Sequence, residues 1–152
     1  SEETQADWKQ MKDMGSVTPI LKPEHLIYFG VRDTEAEEDA IMAEYEIKNY
    51  PVHQVRHRGL ANCVSESLER FSDVDIIYIT FDVDALDCDL ISYGTGTPVS
   101  KGFDPKEVIS LIEEFHVSEK VIALEVCEIN PLLDHKGNKM AETTFDIIQT
   151  LF

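Results

Sequence analysis

Two aspartates stand directly after a strongly apolar run. Asp82 and Asp84 follow residues 76–81, which read Ile-Ile-Tyr-Ile-Thr-Phe. Alternate residues leaving a strand face the same side, so both carboxylates can reach one metal ion or a pair of ions. Neighbouring carboxylates repel each other unless they are protonated or bind a cation, and two acids at this place have no evident structural use. The pattern favours a metal or catalytic site for a hard divalent cation.

Acidic residues also follow two other apolar runs. Residues 121–126 lead to Glu128, and residues 26–31 lead to Arg32 and Glu35, with Arg32 the one base near these strand ends. In open parallel sheets, ligands bind at the carboxyl ends of the strands, so the three ends are expected to converge on one site. A helix cap or a turn is an equally good use of Glu35.

A small-residue segment lies in the loop after the Asp82 strand. Residues 94–98 read Gly-Thr-Gly-Thr-Pro. Such loops bring backbone N–H groups and small hydroxyls close to a ligand, but this one lacks the Lys-Ser/Thr of a phosphate-binding loop. Its position next to the acidic strand end is what makes it a candidate binding segment.

Alternating strand and helix patterns must position these side chains. Strands are predicted at residues 26–31, 51–55, 76–81 and 121–126, the last two buried on both faces. Helices are predicted over 35–46, along the stripe from Leu60 to Phe71, from the N-cap Asp104 onward, and from 139 to the end. Residues 1–21 are predicted to form a leading helix and loop around Trp8. The order predicts an α/β fold with a mostly parallel sheet.

The composition of the chain excludes some classes of binding partner. The 152 residues contain 13 Lys and Arg against 30 Asp and Glu, a formal net charge of -17. This charge argues against nucleic acid and anionic membranes, because phosphate-binding surfaces need a basic patch. No apolar run approaches the roughly 20 residues of a membrane span. Three cysteines cannot pair completely, which favours a reduced, cytoplasmic protein.

Taken together, the motifs resemble the carboxyl-terminal half of the ureohydrolase family, which contains arginases, agmatinases and formiminoglutamases. The resemblance covers the chain from about Leu26 to its end and favours arginase, because Asp33 follows Arg32. It implies a three-layer αβα fold with a mostly parallel, arginase-like sheet. The motifs stand in family order as Phe29-Gly30-Val31-Arg32-Asp33, Phe81-Asp82-Val83-Asp84-Ala85-Leu86-Asp87, Thr95-Gly96-Thr97-Pro98 and Glu128-Ile129-Asn130-Pro131.

The resemblance also implies a chemistry. Ureohydrolases bind two Mn²⁺ ions, and a metal-bridging hydroxide attacks the guanidinium carbon, as in hydrolysis of L-arginine to ornithine and urea. By resemblance, Asp82 would bridge both ions and Asp84 would bind one of them. Glu128 would pair with the substrate guanidinium, Thr97 would line the same pocket, and Glu35 would help to hold the α-amino group. A homo-oligomer, trimer or hexamer, is the implied assembly.

The family's remaining ligands, a His and an Asp-x-His-x-Asp run, belong to its amino-terminal half and have no counterpart in these residues. Residues 1–152 are therefore expected to be the carboxyl-terminal portion of a single longer domain. Two alternatives stay open: a haloacid-dehalogenase-like phosphatase with Asp82 as the nucleophile, and a truncated, non-catalytic homologue.

Overall fold

The computed structural model describes residues 2–15, 17 and 19–152. The leading segment predicted for residues 1–21 contains a helix, while Ser1, Ser16 and Thr18 lie outside the described residues. The regular elements are α1 (Glu2–Lys12), β1 (Ile27–Phe29), α2 (Ala36–Glu44), β2 (Lys48–Tyr50), α3 (Val52–Arg58), α4 (Leu60–Arg70), β3 (Ile77–Asp82), α5 (Pro105–His116), β4 (Val121–Cys127) and α6 (Lys139–Leu151).

The described strands form two parallel pairs, β1 with β2 and β3 with β4. In the longer pair, Phe81 lies opposite Val126 and Asp82 lies opposite Cys127. The α/β fold with parallel pairing is confirmed, in two pairs rather than in one continuous sheet. The register brings the residues after Asp82 and after Cys127 to the same edge of the β3–β4 pair.

The strand predicted at residues 51–55 is wrong. The strand is β2, which ends at Tyr50, and Pro51 is the N-cap of α3. Val52 and Val55 are both buried, three residues apart on one face of this helix. Proline lacks the N–H that a sheet interior needs but fits the start of a helix, so Pro51 ends the strand and favours the turn into α3.

Helix α5 begins as its sequence predicts. The Asp104 carboxylate accepts a hydrogen bond from the Glu107 N–H at 2.9 Å, and the Glu107 carboxylate accepts one from the Asp104 N–H at 2.8 Å. Pro105 occupies the first turn. This capping box satisfies two N–H groups that would otherwise lack partners, and it places Val108 and Ile112 in the core.

Helices α4, α5 and α6 cover one face of the β3–β4 pair. Val64 of α4 and Phe115 of α5 pack in one cluster with Ile77, and Ile147 of α6 belongs to a second cluster with Phe81. These contacts fix β3 from one side, so its carboxyl end is held by the core.

The opposite face of the β3–β4 pair is exposed in the described chain. Tyr78 is 60% exposed and Ile122 is 64% exposed, and Thr80 and Glu125 are exposed beside them. The expectation that both strands are buried on two faces is therefore wrong for these residues, because the described helices supply one covering layer. None of the helices among the described residues has the length and apolar character to cross a membrane.

Candidate active site

The end of β3 turns so that both aspartates stay at the edge. Asp82 caps a short 3-10 turn, Val83–Ala85, and its Oδ1 accepts a hydrogen bond from the Asp84 N–H at 2.8 Å. Val83, between the two acids, is completely buried. Because the apolar side chain points into the core, the two carboxylates remain half-buried on the outer side of the turn. The structure thus brings together the two predicted metal ligands.

Two threonine hydroxyls meet the Asp84 carboxylate. The Thr95 hydroxyl donates to Oδ1 and the Thr97 hydroxyl donates to Oδ2. Thr95 is 1% exposed, whereas Thr97 is exposed at the surface of the site. Thr97 was predicted as a site residue and Thr95 was not. The alternation in Thr95-Gly96-Thr97 is a signal that could have found it, because alternate residues of an extended segment face the same side.

The surroundings of Asp84 disfavour its charge. Burial raises the pKa of the Asp84 carboxyl, and the negative charges of Asp82 and Glu128 raise it further. The hydrogen bond from Thr97 and the charge of Arg32 act in the opposite direction without reversing the shift. A bound cation would remove the repulsion between the acids, so the site is arranged for a positive charge.

Glu128 follows β4 in a strained backbone conformation. Its φ is +66°, in the left-handed region that residues other than glycine adopt infrequently, and its side chain is exposed. A Cβ built on Gly96 would lie 3.5 Å from Glu128 Oε2, so this carboxylate sits against the Thr95–Thr97 segment. The turn after β4 therefore aims Glu128 at the same edge as the two aspartates, and strain of this kind clusters at functional sites.

A third aspartate, Asp134, holds the loop at residues 92–94. Asp134 Oδ2 accepts from the Ser92 hydroxyl at 2.9 Å and from the Met140 N–H at 2.8 Å. Gly94 passes so close that a Cβ there would lie 2.6 Å from that same oxygen, and its carbonyl accepts from the Asn130 N–H at 2.8 Å. Asp134 was not predicted as a site residue, because its acceptor role is visible only once residues 92–94 lie beside it.

Glu35 lies apart from this cluster in its contacts. It is the N-cap of α2, its N–H donates to Glu38 Oε2 at 2.9 Å, and its side chain is exposed. The structure thus brings together Asp82, Asp84, Thr97 and Glu128, and places Glu35 at the start of an exposed helix.

Within the described residues, no group of three or more His, Cys, Asp or Glu side chains is arranged to hold a metal ion. The donors present are nevertheless carboxylate oxygens, which suit Mn²⁺. The aspartates therefore fit part of a hard-cation site, and further ligands are needed to complete it.

Comparison with known proteins shows the family to which the chain belongs. A family model described as the arginase family matches residues 10–152. The chain belongs to the arginase family. This finding confirms the ureohydrolase resemblance, and it favours that interpretation of the Asp82 strand over a phosphatase.

Individual relatives agree with the family match. The arginase of Staphylococcus aureus (strain MRSA252) is 31% identical over 135 residues, which are 88% of this chain and 44% of that protein. The crystal structure of arginase from Bacillus subtilis superimposes with a TM-score of 0.81 at 29% identity, covering 93% of this chain and 47% of that one. For Helicobacter pylori arginase the TM-score is 0.85 at 28% identity, with coverages of 98% and 49%. The fold is arginase-like, and the chain spans about half the length of the curated relatives it matches.

Proposed function

We propose that Asp82, Asp84, Thr97 and Glu128 form part of a manganese-dependent active site that hydrolyses a guanidino substrate, with L-arginine as the expected one. The observation that supports this most is the joint placement of four residues from two strand ends and one loop at one edge of an arginase-family fold.

Asp82 and Asp84 are the proposed manganese ligands, since both present carboxylate oxygens at the end of β3. Bound Mn²⁺ would supply Lewis-acid activation of water and neutralise negative charge that develops in the reaction. Asp82 is proposed as the ligand shared by two ions. Its carboxylate also keeps Asp84 in place by accepting a hydrogen bond from the Asp84 N–H. The Thr95 and Thr97 hydroxyls hold the two oxygens of Asp84 in one orientation.

Glu128 is the proposed partner of the substrate guanidinium. A planar cation with several N–H donors pairs well with a carboxylate, and Glu128 is exposed at the site with no ion-pair partner among the described residues. Thr97, beside it, would line the same pocket. Glu35, the N-cap of α2, stays a proposed contact for the substrate's α-amino group.

The complete site needs ligands beyond those of the described chain, and we propose that a further arginase-like segment supplies them. A homo-oligomer, trimer or hexamer, and a reducing, cytoplasmic location belong to the same proposal. All three cysteines are free thiols, which supports the location.

Manganese binding to the 152-residue chain tests the ligands. Titration followed by the electron paramagnetic resonance signal of free Mn²⁺ should show weak binding that Asp84→Asn removes and Glu128→Gln preserves. Glu119→Gln is the matched control for Glu128→Gln, because Glu119 is an exposed glutamate with φ +58° outside the site. Equal Mn²⁺ binding by the native chain and Asp84→Asn would contradict the proposal.

Urea release tests the reaction. The 152-residue chain alone should release no urea from L-arginine. Addition of the half of Bacillus subtilis arginase that this chain does not span should restore some release. In this mixture, Glu128→Gln should abolish urea release while Mn²⁺ stays bound. Glu119→Gln should leave urea release unchanged. A beryllofluoride complex on the Asp82 carboxylate would favour the phosphatase alternative, and Mn²⁺ binding insensitive to both aspartates would favour a non-catalytic homologue.

A further inference from the structure

Arg32 holds an unusual set of acceptors. Among the described residues, its half-buried guanidinium donates only to backbone carbonyl oxygens, which come from three separate segments of the chain. These acceptors, the carbonyl cluster, are Gly30 at 3.2 Å from Nη1, Asp84 at 2.9 Å, Leu86 at 3.2 Å and Val99 at 2.5 Å from Nη2, and Ser100 at 3.1 Å from Nε.

The cluster needs a cation of this shape. Five carbonyl oxygens that point at one place repel each other, and a guanidinium spreads its N–H donors over three nitrogens in a rigid planar fork. Nε and Nη1 each meet one carbonyl, and the two N–H groups of Nη2 are shared among three. A lysine ammonium has its three donors on one atom, so it cannot meet carbonyls spread around a planar fork as the three guanidinium nitrogens do. The ion pairs among the described residues do not include Arg32, so its charge serves these backbone groups.

The segments that Arg32 joins are those that present the candidate site. The carbonyls of Asp84 and Leu86 belong to the turn that carries the proposed metal ligands. Val99 and Ser100 follow Thr97, which contacts the Asp84 carboxylate. The guanidinium therefore joins the Asp84 turn to residues 99–100 through their backbone carbonyls. The Thr95 and Thr97 hydroxyls join the same two segments through the Asp84 carboxylate.

We propose that Arg32 is a positioning residue, which sets the Asp84 carboxylate for a divalent cation by locking the Asp84 turn to the segment after Thr97. The cation part of this inference rests on the proposed function. The locking of the two segments does not, so the two can fail separately.

Arg32→Lys tests the inference, with Arg70→Lys as the matched control. Arg70 also donates to carbonyl oxygens, those of Glu24 and Glu46, in segments that contribute nothing to the candidate site. Hydrogen–deuterium exchange should become faster in residues 84–87 and 99–103 of Arg32→Lys, while the amides of α5 keep their protection. Mn²⁺ binding that is sensitive to Asp84→Asn should weaken by about 10-fold in Arg32→Lys and stay unchanged in Arg70→Lys.

Unchanged exchange in both segments of Arg32→Lys would overturn the inference. Faster exchange throughout, α5 included, would overturn it as well, because it would make Arg32 a general stabilising residue. Native Mn²⁺ affinity in Arg32→Lys would show that the locking has no effect on the cation site, which also overturns the inference. If the native chain shows no Asp84-dependent Mn²⁺ binding, the proposed function fails, and the exchange measurement alone decides the locking.

Discussion

Two clusters of carboxylates in this fold differ in what surrounds them. At the start of α5, Glu107 accepts two hydrogen bonds from the Arg56 guanidinium, at 2.6 and 2.7 Å, and shares the capping box with Asp104. At the end of β3, Asp84 faces Asp82 and Glu128 and receives hydroxyl donors. The first cluster includes its own cation, and the second has none in an ion pair among the described residues.

The pKa shifts of the two clusters point in opposite directions. The hydrogen bond from Arg56 lowers the pKa of Glu107, whereas burial and like charges raise the pKa of Asp84. A carboxylate that meets a protein cation stabilises the fold in its charged form, while one whose pKa is raised by burial and by neighbouring acids costs stability in that form. The difference separates a structural acid from one arranged for a ligand.

The largest expected loss of stability comes from a substitution at Gly102, which contacts residues of both clusters. Its carbonyl accepts from Arg56, and a Cβ there would lie 2.4 Å from the Leu86 carbonyl carbon and 2.5 Å from the Ala85 oxygen. These neighbours are backbone atoms that cannot rotate away. Gly102→Ala should lower the free energy of unfolding by about 3 kcal/mol in urea denaturation.

Gly96→Ala is the control for that substitution. Its new Cβ would meet Glu128 Oε2 at 3.5 Å, which is an ordinary contact with a movable side chain. Its effect should stay within about 0.5 kcal/mol. Similar losses for the two variants would show that Gly102 is not the close contact between the clusters.

Neutralising one carboxylate in each cluster should change the free energy of unfolding by a smaller amount, with opposite signs in the two clusters. In the metal-free chain at pH 7, Glu107→Gln should lower the free energy of unfolding by about 1–2 kcal/mol, because it weakens a charged hydrogen bond and the N-terminal cap of α5. Asp84→Asn should raise it by a smaller amount, because a charge that burial and its neighbours disfavour is removed. Thermal or urea unfolding of both variants measures the signs, and a destabilised Asp84→Asn would remove the contrast.

The smallest effect is the change of these differences with pH. The advantage of Asp84→Asn should shrink as the pH falls through the raised folded-state pKa and vanish near the ordinary aspartate value of 3.8. The loss in Glu107→Gln should persist down to about 4.5 and disappear only as the pH falls through the lowered folded-state pKa. Urea denaturation between pH 3 and 7 gives both curves, and two curves that change over the same pH range in the same direction would contradict the assigned shifts.

Local signals explain which elements could be predicted from the sequence. Helix α5 follows from Asp104, Pro105 and Glu107, since the capping box is complete within four residues. The helix α3 was missed because its seven residues offer two buried valines and no longer stripe, and only packing decides between a short strand and a short helix. The exposed face of β3 could not be inferred, because a run of apolar residues does not show how many layers cover it.

The candidate site divides in the same way. Asp82, Asp84, Thr97 and Glu128 were predictable because acidic and hydroxyl side chains at strand ends are visible in the sequence. The role of Arg32 was not, because it depends on carbonyl oxygens, which every residue has. Its acceptors at Asp84 and Val99 lie 52 and 67 residues further along the chain.

The parallel pairing of β3 with β4 has a consequence for how the chain is made. Ile77 pairs with Val121, 44 residues later, so β3 leaves the ribosome well before its partner exists. At about 5–20 residues per second, that delay is roughly 2–9 s. Helix α4 precedes β3 in the chain and packs Val64 in one cluster with Ile77, so it is available to cover one side of the strand during the delay. The backbone groups that later pair with β4 wait longer, which makes this interval the time when nascent β3 is most open to pairing with the wrong strand.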